Sequence, residues 1–250
     1  EKGVSHGDVQ LVLTVGEEAG LVGAKALNPK LIKAKYGFAF DSNGPVGDII
    51  TQAPTQAKLR VRIQGKAAHA GVNPEEGVSA IQVASQAIAK MKLGRIDEHT
   101  TANIGSFVGE GPTNIVCEQV EILAEARSLV PEKMEEQVAH MQELFERSAR
   151  DFGATCDIEV EVMYPGFTYT EEDRVVQLAQ AALAKIGRTP RILASGGGSD
   201  ANIFNGYGIP TVNLGIGYEH IHSKQERMPV SELIKAAELF VALVEEAVNG

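Results

Sequence analysis

The sequence predicts a two-part α/β protein, in which a half-exposed β-α-β-β-α-β module interrupts a domain built on buried strands. Three observations carry this. Short apolar runs rich in β-branched residues stand toward both ends of the chain, VQLVLTV at 9–15 and IPTVNLG at 209–215, and such runs fit strands covered on both faces. Between them the style changes: AKLRVRIQ (57–64) and CDIEVEVMY (156–164) alternate apolar with polar residues, as strands with one wet face do. Apolar residues at helical spacing follow prolines in VNPEEGVSAIQVASQAIAKM (72–91) and VPEKMEEQVAHMQELFERSARDFG (130–153).

Taken in order, residues 9–15 read as a buried strand and EEAGLVGAKAL (17–27) as a helix that must end by Pro29. YGFAFDS (36–42) reads as a second strand carrying Asp41 near its end, and NGPVGD (43–48) as a turn. The exposed strand 57–64, the helix 72–91, strands over 101–108 and 115–126, the helix stopped by Gly153 and the strand 156–164 follow. That order is the split-βαβ, ferredoxin-like arrangement. Beyond it come a helix (171–187), a short strand RILA (191–194), and a glycine loop running into a short helix in SGGGSDANIFNGYG (195–208). The strand 209–215, a polar loop GYEHIHSKQERM (217–228) and a long helix opened by Pro229 complete the chain. The discontinuous α/β domain is therefore expected over 1–55 and 165–250, with the inserted module over 56–164.

Composition narrows the function. The 250 residues carry 44% hydrophobic and 22% charged side chains, an ordinary globular balance, and a net charge of −10. An acidic chain is a poor match for nucleic acid or an anionic membrane, which need clustered Lys and Arg. No apolar run approaches the ~20 residues of a membrane span. The two cysteines, Cys117 and Cys156, make no disulfide framework and read as buried thiols in a reducing cytoplasm. The chain opens EKGVSHGDVQ, with no Met and no signal peptide, and an upstream segment is expected to be missing from it.

The residues that carry chemistry start with Glu17 and Glu18, adjacent acids after an apolar run, with Asp41 at the end of another. Sites in open α/β sheets form at the carboxyl ends of strands, so these three can converge. Neighbouring carboxylates repel unless a proton or cation intervenes. A divalent metal resolves this, one acid binding it while the other acts as base toward water. The competing reading is a plain helix start, where acids suit the dipole. His222, in HIHSKQE, is a candidate nitrogen ligand; His220, two residues away, would face the other way in an extended segment. His69, in GKAAHAG, is either a solvated histidine or an oxyanion donor. The loop SGGGSD offers backbone N–H groups at a helix start, but it lacks the lysine of a phosphate loop. His6 and Asp8 precede the first strand, at its opposite end from Glu17, and are set aside.

Taken together, TVGEEAGLVGA, FDSNGPVG, GKAAHAG, GPTNIV, ARS, SGGGSDANIF and HSKQE resemble, in order and over essentially the whole chain, the M20 family of zinc peptidases, and within it the peptidase T-like, tripeptidase-type members. The resemblance implies a zinc-peptidase catalytic domain, incomplete at its N-terminus, bearing an inserted ferredoxin-like lid that also serves for dimerisation. It implies two zinc ions per full-length subunit, with Co or Mn as substitutes. Glu17 would be the general base, Glu18 and His222 ligands of one zinc, and Asp41 a ligand of the other. His69 would steady the oxyanion, Asn114 would bond the substrate carbonyl region, and Arg127 would hold a substrate carboxylate or backbone. Gly196, Gly197 and Gly198 would line the substrate pocket. The implied activity is hydrolysis of short peptides by a tripeptidase or aminopeptidase, in the cytoplasm and without nucleic-acid or membrane partners, with a homodimer through the lid as a further expectation. N-acyl amino acid deacylase or carboxypeptidase chemistry of the same family, or a non-catalytic metal-binding or dimerising protein, are the alternatives. The family's H-x-D motif and a further Asp find no counterpart here, so this piece alone is expected not to form a competent dinuclear enzyme.

Overall fold

The computed structural model describes Gly3 and residues 6–248. In chain order the elements are α1 (Val22–Ala26), β1 (Gly37–Ser42), β2 (Asp48–Ala53), β3 (Thr55–Gln64), α2 (Ala80–Ile88), β4 (Gly94–Arg95), β5 (Thr100–Val108), β6 (Gln119–Ser128), α3 (Pro131–Phe152) and β7 (Thr155–Tyr164). They continue as β8 (Phe167–Thr168), α4 (Arg174–Lys185), β9 (Arg191–Ala194), α5 (Asp200–Gly206), β10 (Thr211–Gly215) and α6 (Val230–Val248). The chain divides into two compact units, Glu1–Pro54 with Tyr164–Gly250, and Thr55–Met163.

The first unit is a mixed sheet centred on β2. Ile49 and Ile50 pair antiparallel with β10 on one edge and parallel with β9 on the other, while β8 pairs with Gln52 and Ala53. β1 runs parallel to β10. One face is covered by α4 and α6: Val212 and Leu214 of β10, Ile49 of β2, Leu183 of α4 and Leu239 of α6 share a core with almost no exposure. The strands alternate, so their other residues face away, where Ala201 of α5 packs with Ala53, Phe167 and Ala39. Asp48 is buried, and the Arg191 guanidinium neutralises it through bonds of 2.6 and 2.8 Å.

The second unit is a five-stranded sheet in the order β4-β5-β6-β3-β7, with β3, β6 and β5 antiparallel neighbours. The alternation read from 57–64 is real: Ala57, Leu59, Val61 and Ile63 are buried while Lys58, Arg60, Arg62 and Gln64 are exposed. α2 and α3 cover the buried face, with Phe145 and Met141 of α3 fully enclosed. Gly153, at φ 72°, stops α3 in the left-handed conformation that glycine takes most easily.

Several local expectations fail for physical reasons. Residues 9–15 carry no strand pairing, and Val9, Leu11, Leu13 and Val15 lie in solvent, Leu13 84% exposed. An apolar run becomes a buried strand only beside another strand, and no strand lies along this one among the described residues. The side chain of Gln10 ties it instead to the backbone at Leu31, Lys33 and Ala34. The helix expected over 17–27 shrinks to Val22–Ala26, because Gly16, Gly20 and Leu21 all take positive φ. The helix 72–91 splits into a 3-10 turn (Pro74–Glu76) and α2, since Val78 bridges to Lys66 and Ser79 caps a fresh start. The strand 115–126 begins only at Gln119, and β2 and β8 arise where no strand was read. Cys117 and Cys156 are free thiols, partly rather than fully buried. Among the described residues no helix is long and apolar enough to cross a membrane.

Phe145 is the largest fully enclosed side chain, so Phe145→Ala should lower stability by about 3–5 kcal/mol. Urea unfolding measures this directly, with the half-exposed Val160→Ala expected to shift it far less.

Candidate active site

The site is assembled in the first unit from four separate stretches. Glu17 and Glu18 occupy a tight turn rather than a helix. Gly16 (φ 66°) and Gly20 (φ 100°) reverse the chain, and the Glu17 carbonyl accepts from the N–H groups of Gly20 (3.0 Å) and Leu21 (2.8 Å). The turn is clasped at its base, where Gly23 N–H donates to the Val15 carbonyl at 2.8 Å. A Cβ at position 23 would lie 2.5 Å from the Val15 backbone, so only glycine lets the two chains approach. Two side chains anchor the flanks: Thr14 Oγ1 donates to Asp200 Oδ2 at 2.5 Å, and Tyr207 OH donates to the Ala24 carbonyl at 3.0 Å.

Asp41 sits where β1 loses register with β10. Its N–H and C=O are both taken by the Asn213 side chain, at 3.0 and 2.9 Å. His222 stands in a loop closed at its neck by Glu219 and Arg227, which exchange both backbone bonds and pair through their side chains at 2.6 Å. The loop is not extended, so the opposed orientation expected for His220 and His222 has no basis. Both take left-handed φ, 57° and 60°, and the strain is held by Ser223 Oγ on the His220 carbonyl and by Glu226 on the His222 N–H.

These stretches converge. His222 Nδ1 lies 3.5 Å from Glu18 Oε1, across 204 residues of sequence, with both side chains largely exposed. Burial, then Asp41, Glu18 and Asp200, push the Glu17 carboxyl up from its ordinary 4.5 to about 7, against the opposing pull of His222. Burial, then Asp200 and Glu18, raise Asp41 in the same way. Tyr218 is pushed up to about 12 by burial and by Asp41, Glu226, Glu18 and Glu17. Glu18 and His222 are thus in contact, and Glu17 and Asp41 share their field. Among the described residues no three acids, histidines or cysteines close into a finished metal cluster. His6 is exposed and takes no part.

The remaining candidates fall into two groups. Gly196, Gly197 and Gly198 belong to the first unit, in the loop before α5. A Cβ at Gly198 would lie 2.3 Å from the Tyr164 ring, which makes that glycine a packing requirement. Ser199 and Asn202 then form a reciprocal cap on α5. His69, Asn114 and Arg127 belong to the second unit. His69 and Asn114 lie on adjoining loops, since Ala70 N–H donates to the Asn114 carbonyl at 2.9 Å and His69 bridges to Ile115. Gly71 N–H donates to His69 Nδ1 at 3.2 Å, which leaves Nε2 to carry the proton of the neutral ring. Arg127 donates two bonds to Glu125, at 2.9 and 3.1 Å, along the open face of the sheet.

Asp200 and Tyr218 went unread in the sequence. Asp200 is buried, with one oxygen bonded to Thr14 and the other, Oδ1, without a partner. Its signal was its place at the end of the glycine loop. Tyr218 gave none, since a tyrosine in a polar loop is unremarkable.

Acids from the turn after residue 16 and from the end of β1, with an imidazole in the loop after β10, make a candidate hydrolase-type site. The chain belongs to Peptidase family M20/M25/M40, whose model matches residues 1–246. It is 61% identical over 247 residues to the uncharacterized protein YqjE of Bacillus subtilis (strain 168), covering 99% of this chain and 67% of that protein. Among solved structures it resembles the aminopeptidase PepT from Bacillus cereus ATCC 10987, at 60% identity and a TM-score of 0.92, over 98% of this chain and 66% of the other. It also resembles a tripeptidase from Staphylococcus aureus subsp. aureus mu50, at 46% identity and a TM-score of 0.94, over 99% of this chain and 66% of that one. The chain therefore spans about two thirds of the length of these relatives.

The raised carboxyls fix a sign. The fold keeps a proton on Glu17 that the unfolded chain releases near 4.5, so the contribution of this carboxyl to stability is most favourable below that pH and is lost as pH rises through about 7. In the presence of a chelator, Glu17→Gln should raise the melting temperature at pH 8 and leave it unchanged at pH 4. Solvent screening at a half-exposed carboxyl keeps the gain to about 2–4 °C. Calorimetry at the two pH values checks this; equal shifts at both would contradict it.

Proposed function

We propose that the intact protein is a metal-dependent peptidase that cleaves short peptides, in the manner of a tripeptidase or aminopeptidase. The observation that carries the reading is the approach of Glu18 to His222 beside Glu17, whose carboxyl is raised to about 7. The donor set fits a divalent cation. Carboxylate oxygen and imidazole nitrogen are zinc's usual hard and borderline ligands, and the crowded acids with the unpartnered Asp200 Oδ1 are short of positive charge. Glu18, Asp41 and His222 would hold zinc, two ions per full subunit, with Co or Mn as substitutes. A cation there supplies Lewis acidity to a carbonyl and to water.

The chain's own residues do the rest. Glu17, beside the residues that would hold the cation, takes a proton from the attacking water and returns it to the leaving amine, as a general base then acid should. His69 offers Nε2–H to the developing oxyanion, with Asn114 on the adjoining loop bonding the substrate backbone. Arg127 meets a substrate carboxylate by exchanging it for Glu125, and the loop of Gly196, Gly197 and Gly198 lines the peptide's pocket, with Gly196 and Gly197 open on their Cβ side and Gly198 packed on the Tyr164 ring. The unit Thr55–Met163 serves as a ferredoxin-like lid, a reading its strand order β5-β6-β3-β7 supports, and as the surface of a homodimer. The free thiols Cys117 and Cys156 support a reducing, cytoplasmic setting.

The test is Glu17→Gln in the intact protein. Metal content by elemental analysis should persist, while tripeptide turnover falls by about 10²–10⁴. Retained turnover would remove Glu17 from the base role. A faster reaction with N-acetyl amino acids than with tripeptides would move the substrate class to deacylation.

A further inference from the structure

The parallel pairing of β1 with β10 runs Gly37 to Thr211, Phe38 to Val212 and Ala39 to Asn213, and then jumps to Ser42 opposite Gly215. Between Ala39 and Ser42 β1 takes three steps while β10 takes two, so β1 carries one extra residue. An extra residue strips the backbone beside it of ladder partners, and a part-buried peptide group cannot be left unpaired at low cost. The Asn213 amide fills this gap. Its Oδ1 accepts from Asp41 N–H at 3.0 Å and its Nδ2 donates to Asp41 C=O at 2.9 Å.

Few side chains can do this. Reading both an N–H and a C=O needs a donor and an acceptor on one short planar group, which asparagine provides and aspartate, threonine or leucine do not. Asn213 is also held firmly: it is 6% exposed, and its backbone is paired to Ala39 on one side and Ile50 on the other. From that fixed point in mid-sheet the amide sets the position of Asp41, whose carboxyl belongs to the acid cluster of Glu18 and Asp200.

We infer that Asn213 is a positioning residue: it locks Asp41 at the bulge and so aims the Asp41 carboxyl at the cation site. The inference rests on the reading of Asp41 as a metal ligand. Asn205 makes an analogous pair of bonds in the same unit, to Thr211, but it also accepts from Tyr169 OH and donates to the Ala201 carbonyl, and none of these bonds goes to an acid of the cluster.

The experiment compares Asn213→Ala and Asn213→Asp with Val212→Ala, a core truncation of the neighbouring residue on the opposite face, in the intact protein. Two readouts are taken: amide hydrogen exchange at Asp41, and Co²⁺ affinity from its visible absorption. Asn213→Ala should speed exchange at Asp41 by about tenfold or more while Phe38 keeps its protection, and Asn213→Asp, which keeps an acceptor for the Asp41 N–H but loses the donor to its C=O, should speed it less. Both Asn213 variants should weaken Co²⁺ binding by about 10–100-fold, the effect typical of residues that orient ligands. Val212→Ala should lower the melting temperature and leave both readouts as in wild type. Unchanged exchange at Asp41 in Asn213→Ala, or Co²⁺ binding as tight as in wild type in either Asn213 variant, overturns the inference, as does an equal loss of Co²⁺ affinity in Val212→Ala. A wild-type protein that takes up no Co²⁺ sinks the metal reading instead, and exchange at Asp41 then decides the positioning role alone.

Discussion

Repulsion among carboxylates is the constraint around which the first unit is arranged. Burial, with the fields of Asp41, Glu18 and Asp200, raises Glu17, and burial with Asp200 and Glu18 raises Asp41, while the His222 ring pulls the other way. A fold left to minimise its own energy would spread these acids into water. Here the backbone gathers them, at a cost that the proposed cation would offset.

Each acid is held by a different device, and each device spends a local irregularity. The Glu17–Glu18 turn needs two glycines at positive φ and a third, Gly23, at a contact no Cβ could enter. Asp41 needs a bulge and the Asn213 amide to heal it. His222 needs a left-handed residue in a loop cinched by Glu219 and Arg227. Behind them the frame is stiff. Glu232 at the start of α6 accepts from Val46 N–H at 2.8 Å and pairs with Arg188, tying the helix to the turn that follows β1. Regular structure supplies the platform, and the exceptions to regularity aim the side chains.

How much of this could be read beforehand follows from the range of the forces. Periodicity reported what local burial decides: the alternation over 57–64, the Pro-led helix α3 and the apolar strand 211–215 all formed, while of the stretch 72–91 only Ala80–Ile88 became α-helix. It missed what neighbours decide. Residues 9–15 have the composition of a buried strand and no strand beside them; β2 is the centre of its sheet, although DIITQA shows no clean alternation. In the site, adjacent acids and a histidine in a polar loop stood out as types, whereas Asp200 and Tyr218 matter only because folding brings them to the same place. Motif order recovered the family because seven short matches in sequence carry information that no single spacing does.

The ribbon of Val9, Leu11, Leu13 and Val15 has a consequence for handling the molecule. VQLVLTV is seven residues long, uncharged, free of proline and rich in β-branched residues, with its alternate side chains already in water and no strand paired to it among the described residues. Such a segment is a template for strand addition between molecules, the first step of cross-β growth. In this 250-residue chain the ribbon is thus the stretch where raising the concentration would first favour intermolecular pairing.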